Sequence, residues 1–173
     1  MFLELIAVIF AGFAVAGVVM LLNKLTGGRL PRWAAPVGAG LGMILATITS
    51  EYGWYARTVD GLPDGMVVAE VVEHTSWYRP WTKAVPYINR FAAVDIASIQ
   101  NNTTLPAHRM AEIYFFGRWA PVNKLPVVLD CDTNRRALLP PDAQFGDDGQ
   151  ILNAEWVQGD ADDAILTTIC SRE

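Results

Sequence analysis

The sequence predicts a membrane-anchored α+β protein: an N-terminal two-helix transmembrane hairpin, then a small antiparallel sheet that ends in a helix. Three observations carry this prediction. Of 13 basic and 18 acidic residues, only Glu4, Lys24, Arg29 and Arg32 fall within residues 1–50. That segment holds two uncharged runs, 5–22 and 33–50, each eighteen residues long. Beyond it, apolar and polar residues alternate over short stretches, the period of a half-buried strand. The chain therefore divides into a hairpin, 1–50, with spans near 4–23 and 33–50, and an extracytoplasmic domain, 51–173.

A span needs about twenty apolar residues at about 1.5 Å of rise each. The first run approaches this length and is closed by Asn23 and Lys24. The second follows Pro31 and has Pro36 near its start, where a helix tolerates proline. Two core helices of a soluble protein are the alternative, but such helices carry a polar stripe. The opening Met-Phe-Leu-Glu has no basic residue ahead of the apolar run, so cleavage as a signal peptide is not expected. The link between the runs carries Lys24, Arg29 and Arg32 and no acid. Basic short loops stay in the cytoplasm, which puts both termini on the periplasmic side of a bacterial inner membrane. Trp33 marks one interface, and Tyr52, Trp54 and Tyr55 mark the other.

In the second run Ala34, Gly38, Gly42 and Ala46 recur every four residues, on one helical face. A stripe of small residues lets another helix approach closely. Gly12 and Ala16 offer a shorter match in the first span, and the stripe either packs the hairpin on itself or docks on another protein or a second copy of the chain. Gly38, Gly40 and Gly42 do not make a dinucleotide fingerprint, because the spacing is wrong and no strand precedes them.

Strands are expected at 66–73, 91–99, 109–116 and 124–131. The second sets Ala92, Val94 and Ile96 opposite Asp95. The third sets Ala111, Ile113 and Phe115 opposite Met110, Glu112 and Tyr114, and the fourth puts Leu125, Val127, Leu129 and Cys131 on one face. A helix closes the chain, with Asp160 as its cap and Asp162 and Asp163 in its first turn. Ala161, Ile165, Leu166, Ile169 and Cys170 then share a face. Cys131 and Cys170 are the only cysteines, and an oxidising compartment reads the pair as a disulfide.

Residues for chemistry are scarce. A composition 52% hydrophobic and 18% charged excludes a disordered chain and a basic nucleic-acid-binding domain. Residues 51–173 carry 17 acids and 10 bases, so this part as a whole is a poor partner for nucleic acid or anionic lipid. His108 and Glu112 share a strand face but lie about 13 Å apart, too far to ligate one metal. His74, Thr75 and Ser76 are neighbours in sequence with no nucleophile elbow, and no Walker loop, H-E-x-x-H or C-x-x-C occurs. Asp142, Asp147, Asp148, Glu155, Asp160, Asp162 and Asp163 form a base-free stretch. It reads as a solvated rim, with calcium binding or a basic partner as lesser alternatives. No catalytic, cofactor or metal residue is assigned.

The most unusual stretch, 76–91, interleaves rings with cations. Its interface candidates are Trp77, Tyr78, Arg79, Trp81, Lys83 and Tyr87, with Phe91 and Arg90 following and Trp119 a further member of the cluster. These rings either pack on the sheet, enter the headgroup layer, meet a protein partner or line a ligand cleft. The function expected is a non-catalytic accessory subunit or assembly factor of a larger inner-membrane complex, respiratory or otherwise energy-transducing. The alternatives are a tethered periplasmic ligand-binding or sensor module with Trp77, Trp81 and Trp119 lining a pocket, and an enzyme of unrecognised type.

Overall fold

The computed structural model describes residues 2–140, 142–146, 149–160 and 162–171. The chain forms two compact units, Met1–Arg57 and Thr58–Glu173. Their boundary lies beyond residue 50 because the second helix does not stop where the charges begin.

The first unit is a helical pair, α1 (Phe2–Leu25) and α2 (Ala34–Asp60). α1 ends where Gly27 and Gly28 take φ of 73° and 79°, the left-handed region that glycine enters without a Cβ penalty. The Gly28 amide donates to the Asn23 carbonyl at 2.8 Å and the Leu30 amide to Asn23 Oδ1 at 2.9 Å. Among the described residues, α1 is the one helix long and apolar enough to cross a membrane by length and composition. α2 is diluted by glycine, threonine and Pro36, and continues through Glu51 and Arg57. Its Thr47 and Thr49 hydroxyls donate to the carbonyls of Met43 and Leu45, each at 2.9 Å, so neither is left unsatisfied on an apolar helix.

The small-residue stripe faces α1. A Cβ at Gly42 would sit 2.6 Å from Val15 Cγ2, and one at Gly38 would sit 2.9 Å from Val19 Cγ2. Gly12 of α1 is covered in turn by the Met43 side chain. The two glycines of the stripe are therefore occupied by the chain's own first helix, while Ala34 and Ala46 are half-buried. The Ser50 hydroxyl donates to the Glu4 carboxylate at 3.0 Å.

The second unit is a curled six-stranded antiparallel sheet whose strands lie in chain order. They are β1 (Met66–His74), β2 (Tyr87–Asn101), β3 (His108–Gly117), β4 (Ala120–Asp130), β5 (Arg135–Leu138) and β6 (Val157–Gln158). A single turn, α3 (Trp81–Ala84), interrupts the β1–β2 connection, and α4 (Ala164–Cys170) closes the fold. The four long strands match the sequence expectation to within a few residues. β5, β6 and α3 have two to four residues each, too few for a periodic pattern. In β2 the alternation fails after Asp95. Asp95 Oδ1 accepts the Ala97 amide at 3.0 Å, and the Ser98 hydroxyl donates to the Asp95 carbonyl at 2.6 Å. This irregularity shifts the β2–β3 register, and Ile96 is only half-buried rather than continuing the core face.

α4 lays Ile165, Leu166 and Ile169 on Val94, Ala111 and Leu129 of the sheet. Its cap is Asp163, not Asp160. Asp163 Oδ1 accepts the amides of Ile165 and Leu166 at 3.0 and 3.1 Å. The Asp160 carbonyl instead accepts the Asp163 amide in a preceding turn, so the helix begins only at Ala164. The expected helix member Ala161 and the acidic residues Asp147 and Asp148 lie outside the described residues. Cys131 and Cys170 form the expected disulfide, with 5.7 Å between Cα atoms, joining the end of β4 to the last turn of α4. For a sequence separation of 39, loop-closure entropy gives about 4 kcal/mol of stabilisation. Arg109 adds a hydrogen bond from Nη1 to the Ile169 carbonyl at 2.8 Å, at the C-terminal end where a helix leaves carbonyls unpaired.

Candidate functional site

Two surfaces of the sheet unit stand out. The first is a cavity on the face that α4 covers only in part. With seven residues, α4 shields Val94, Ala111 and Leu129 but leaves Phe115 and Leu125 partly exposed, at 38% and 39%. The curl of the sheet brings β1 and β5–β6 to opposite sides of a space of about 600 Å³. Its apolar lining includes Ile113, Phe115, Val127, Leu138, Val157 and Ile165. A neighbouring recess of about 440 Å³ shares Glu70 and Phe115 with it. Spaces of roughly 300–1,000 Å³ with apolar walls and a few polar groups are typical of ligand sites.

The cavity's charges are Glu70, Glu155 and Arg136. Arg136 is neutralised by Asp163, Nη1 to Oδ2 at 2.9 Å. Among the described residues neither Glu70 nor Glu155 makes an ion pair, so the lining carries net negative charge. The sequence placed Glu155 and Asp163 in the acidic stretch read as a solvated rim, and did not single out Glu70 or Arg136. Phe115 was assigned to an apolar strand face, but that pattern does not say which part of the face a helix would cover.

The second surface is one end of the sheet. Pairing of His74 with Tyr87, Arg90 with Gly117 and Gly117 with Ala120 places the β1–β2 and β3–β4 connections together there. Trp77 is 85% exposed, and Trp119 of the second connection is 60% exposed. Tyr78, Trp81 and Lys83 are exposed and Arg79 is half-buried. A buried threonine fixes the first connection: Thr82 Oγ1 accepts the Ser76 amide at 2.9 Å and donates to the Arg79 carbonyl at 2.7 Å. Arg79 lies over the Tyr78 ring at 5.2 Å, and the buried Arg118 lies under Trp119 at 5.0 Å. Tyr87 departs from the expected interface set. As the first residue of β2 it is 7% exposed, with its ring edge-on to His74 at 5.6 Å. Trp77, Trp81 and Trp119 line neither the cavity nor the neighbouring recess, so the aromatic pocket expected of a sensor is not formed there.

Several other titratable groups are engaged in structure. Burial pushes the Asp130 carboxyl upward, but hydrogen bonds from Thr133 and Arg135, with the charge of His108 nearby, outweigh it and hold the group below its usual range. Asp130 Oδ1 accepts the amides of Asp132 and Thr133 at 3.2 and 3.3 Å. Oδ2 accepts the Thr133 hydroxyl and Arg135 Nη2, the latter at 3.1 Å. His108 Nε2 lies 3.8 Å from the same oxygen. Glu112 bonds the Lys124 ammonium at 2.7 Å and raises the lysine's pKa. His108 and Glu112 thus serve separate pairs on neighbouring strands. His74 Nε2 lies 3.2 Å from Ser76 Oγ, but Ser76 is buried and neither residue lines the recesses described above. Among the described residues no group of three or more His, Cys, Asp or Glu is placed to hold a metal ion. Comparison with known protein families, with curated proteins and with solved structures finds no match for this chain.

Proposed function

We propose that this chain is a membrane-anchored, non-catalytic accessory subunit or assembly factor of a larger membrane protein complex, respiratory or otherwise energy-transducing. The observation that carries the reading is the concave apolar face that α4 leaves uncovered. Phe115, Leu125, Leu138 and Val157 remain exposed there on a water-facing unit, and exposed apolar patches of this kind mark interaction surfaces.

The placement is an inner membrane, with two spans and both termini in the periplasm. Support comes from α1, which is apolar all round and leaves Phe10 and Phe13 uncovered within its own unit, the condition of a membrane span. The 33–50 run, packed on α1 through Gly38 and Gly42, serves as the second span. The basic link of Lys24, Arg29 and Arg32 then lies in the cytoplasm. The disulfide fits an oxidising periplasm around the sheet unit.

The test is purification of the full chain in mild detergent with mass spectrometry of whatever accompanies it, beside a Phe115→Asp/Leu138→Asp variant that keeps the disulfide. A membrane complex should accompany the parent and be lost from the variant. Recovery of both as lone monomers would sink the reading. The volume and net negative lining of the cavity favour a second reading, a tethered ligand-binding module. It predicts a small-molecule adduct in native mass spectra of the parent that the variant lacks.

A further inference from the structure

We propose that the aromatic end of the sheet unit seats on an anionic bilayer surface, with Trp77, Tyr78, Trp81 and Trp119 in the headgroup layer and Lys83 and Arg79 facing lipid phosphates. This rests on the anchored placement proposed above. Residues 51–173 carry 17 acids, yet the connections that form this end, 75–86 and 118–119, hold Arg79, Lys83 and Arg118 and no carboxylate. The unit's net negative charge opposes an anionic surface, and the cations of these two connections oppose that repulsion at this end. Indole and phenol rings prefer the headgroup layer, where their apolar bodies leave water and their polar tips stay hydrated.

The backbone that carries the rings is held in shape before any contact. Thr82 pins the first connection through the Ser76 amide and the Arg79 carbonyl, and the buried Arg118 supports the Trp119 ring from beneath. Little conformational entropy is then lost on seating. Residues 61–65 tether the sheet unit to α2 and enter β1 at Met66, the end opposite the aromatic connections, so the tether raises the unit's concentration near the membrane that holds α2 without itself presenting this end. A protein partner at this end would not require the absence of carboxylates, and it is the competing outcome of the test.

The full chain is reconstituted into phosphatidylcholine vesicles with and without phosphatidylglycerol, using lipid brominated near the headgroup to quench tryptophan. The parent is compared with a Trp77→Phe/Trp81→Phe/Trp119→Phe variant. These rings project from the fold, so phenylalanine should leave it intact, and an intact disulfide checks this. Quenching should grow with phosphatidylglycerol in the parent and lose that dependence in the variant. Lys83→Gln should lower the seated-to-free ratio about fivefold on anionic lipid and leave neutral lipid unaffected. If the vesicle-bound parent and variant lose the same fraction of their fluorescence on both lipids, the seat is refuted while the anchor stands. Protection of Trp77 and Trp119 in native membranes but not in vesicles would assign the end to a protein and refute the seat as well. A chain that does not float with vesicles would remove the anchor itself.

Discussion

Asp130→Asn is the substitution whose consequence the structure defines most closely. The carboxylate closes the β4–β5 turn by accepting two backbone amides on one oxygen and Thr133 and Arg135 on the other. Asparagine keeps the first oxygen but presents an N–H group where Arg135 Nη2 donates. Losing the charged acceptor at a site 5% exposed costs about 2 kcal/mol, because Arg135 is exposed enough to turn toward water and recover part of the loss. For a unit of this size that is a fall in Tm of roughly 8 °C, measured on the sheet unit by near-ultraviolet circular dichroism at pH 7. The pH dependence is the sharper signature. The folded carboxyl titrates below its value in the unfolded chain, near 3.8. Between the two values the unfolded state binds more protons, so stability rises with pH there. The contribution is complete above the unfolded value and is lost as pH falls through the folded one. The gap between parent and variant should therefore be constant above about pH 5 and narrow as pH falls below the unfolded value of 3.8. A gap that stays the same at pH 7 and pH 2.5, or no gap at all, would refute the assignment of Asp130 as an ionised clasp.

Three further outcomes follow from the same geometry. Cys170→Ser should lower the stability of the sheet unit by about 4 kcal/mol, read as a lower denaturant midpoint with a steeper slope, because the denatured chain without the cross-link exposes more surface. Asp163→Ala removes the α4 cap and the partner of Arg136 together, and should cost about 1–2 kcal/mol by thermal unfolding. Gly42→Leu should push α1 and α2 apart and speed hydrogen exchange along residues 11–19 of α1. Gly40→Leu, at a glycine with nothing within 4 Å of its Cβ position, should leave that exchange unchanged.

Much of the local organisation was legible in the sequence. Ala111 and Ile113 are buried as period two requires, because a strand's alternation is a local property that burial of one face enforces. The disulfide followed from two cysteines and a compartment argument. The helix cap was misplaced by three residues because Asp160, Asp162 and Asp163 have equal capping chemistry, and only the backbone turn at Asp160 selects among them. Tyr87 could not be told from Tyr78 by residue type, since the difference lies in where β2 begins.

By itself, the sequence determined the partition of charge at residue 50, an N-terminal helix apolar enough to cross a membrane, the long strands, and the excess of rings and cations over acids in 76–91. These are sums over neighbouring residues, so composition and spacing suffice. Tertiary structure decided that Gly38 and Gly42 meet α1, that Tyr87 is buried apart from the exposed rings, and that Glu70, Phe115 and Leu138 enclose one cavity. Each of these depends on contacts between residues distant in the chain. The curl of the sheet and the short reach of α4 set those contacts, and neither leaves a periodic trace in the sequence.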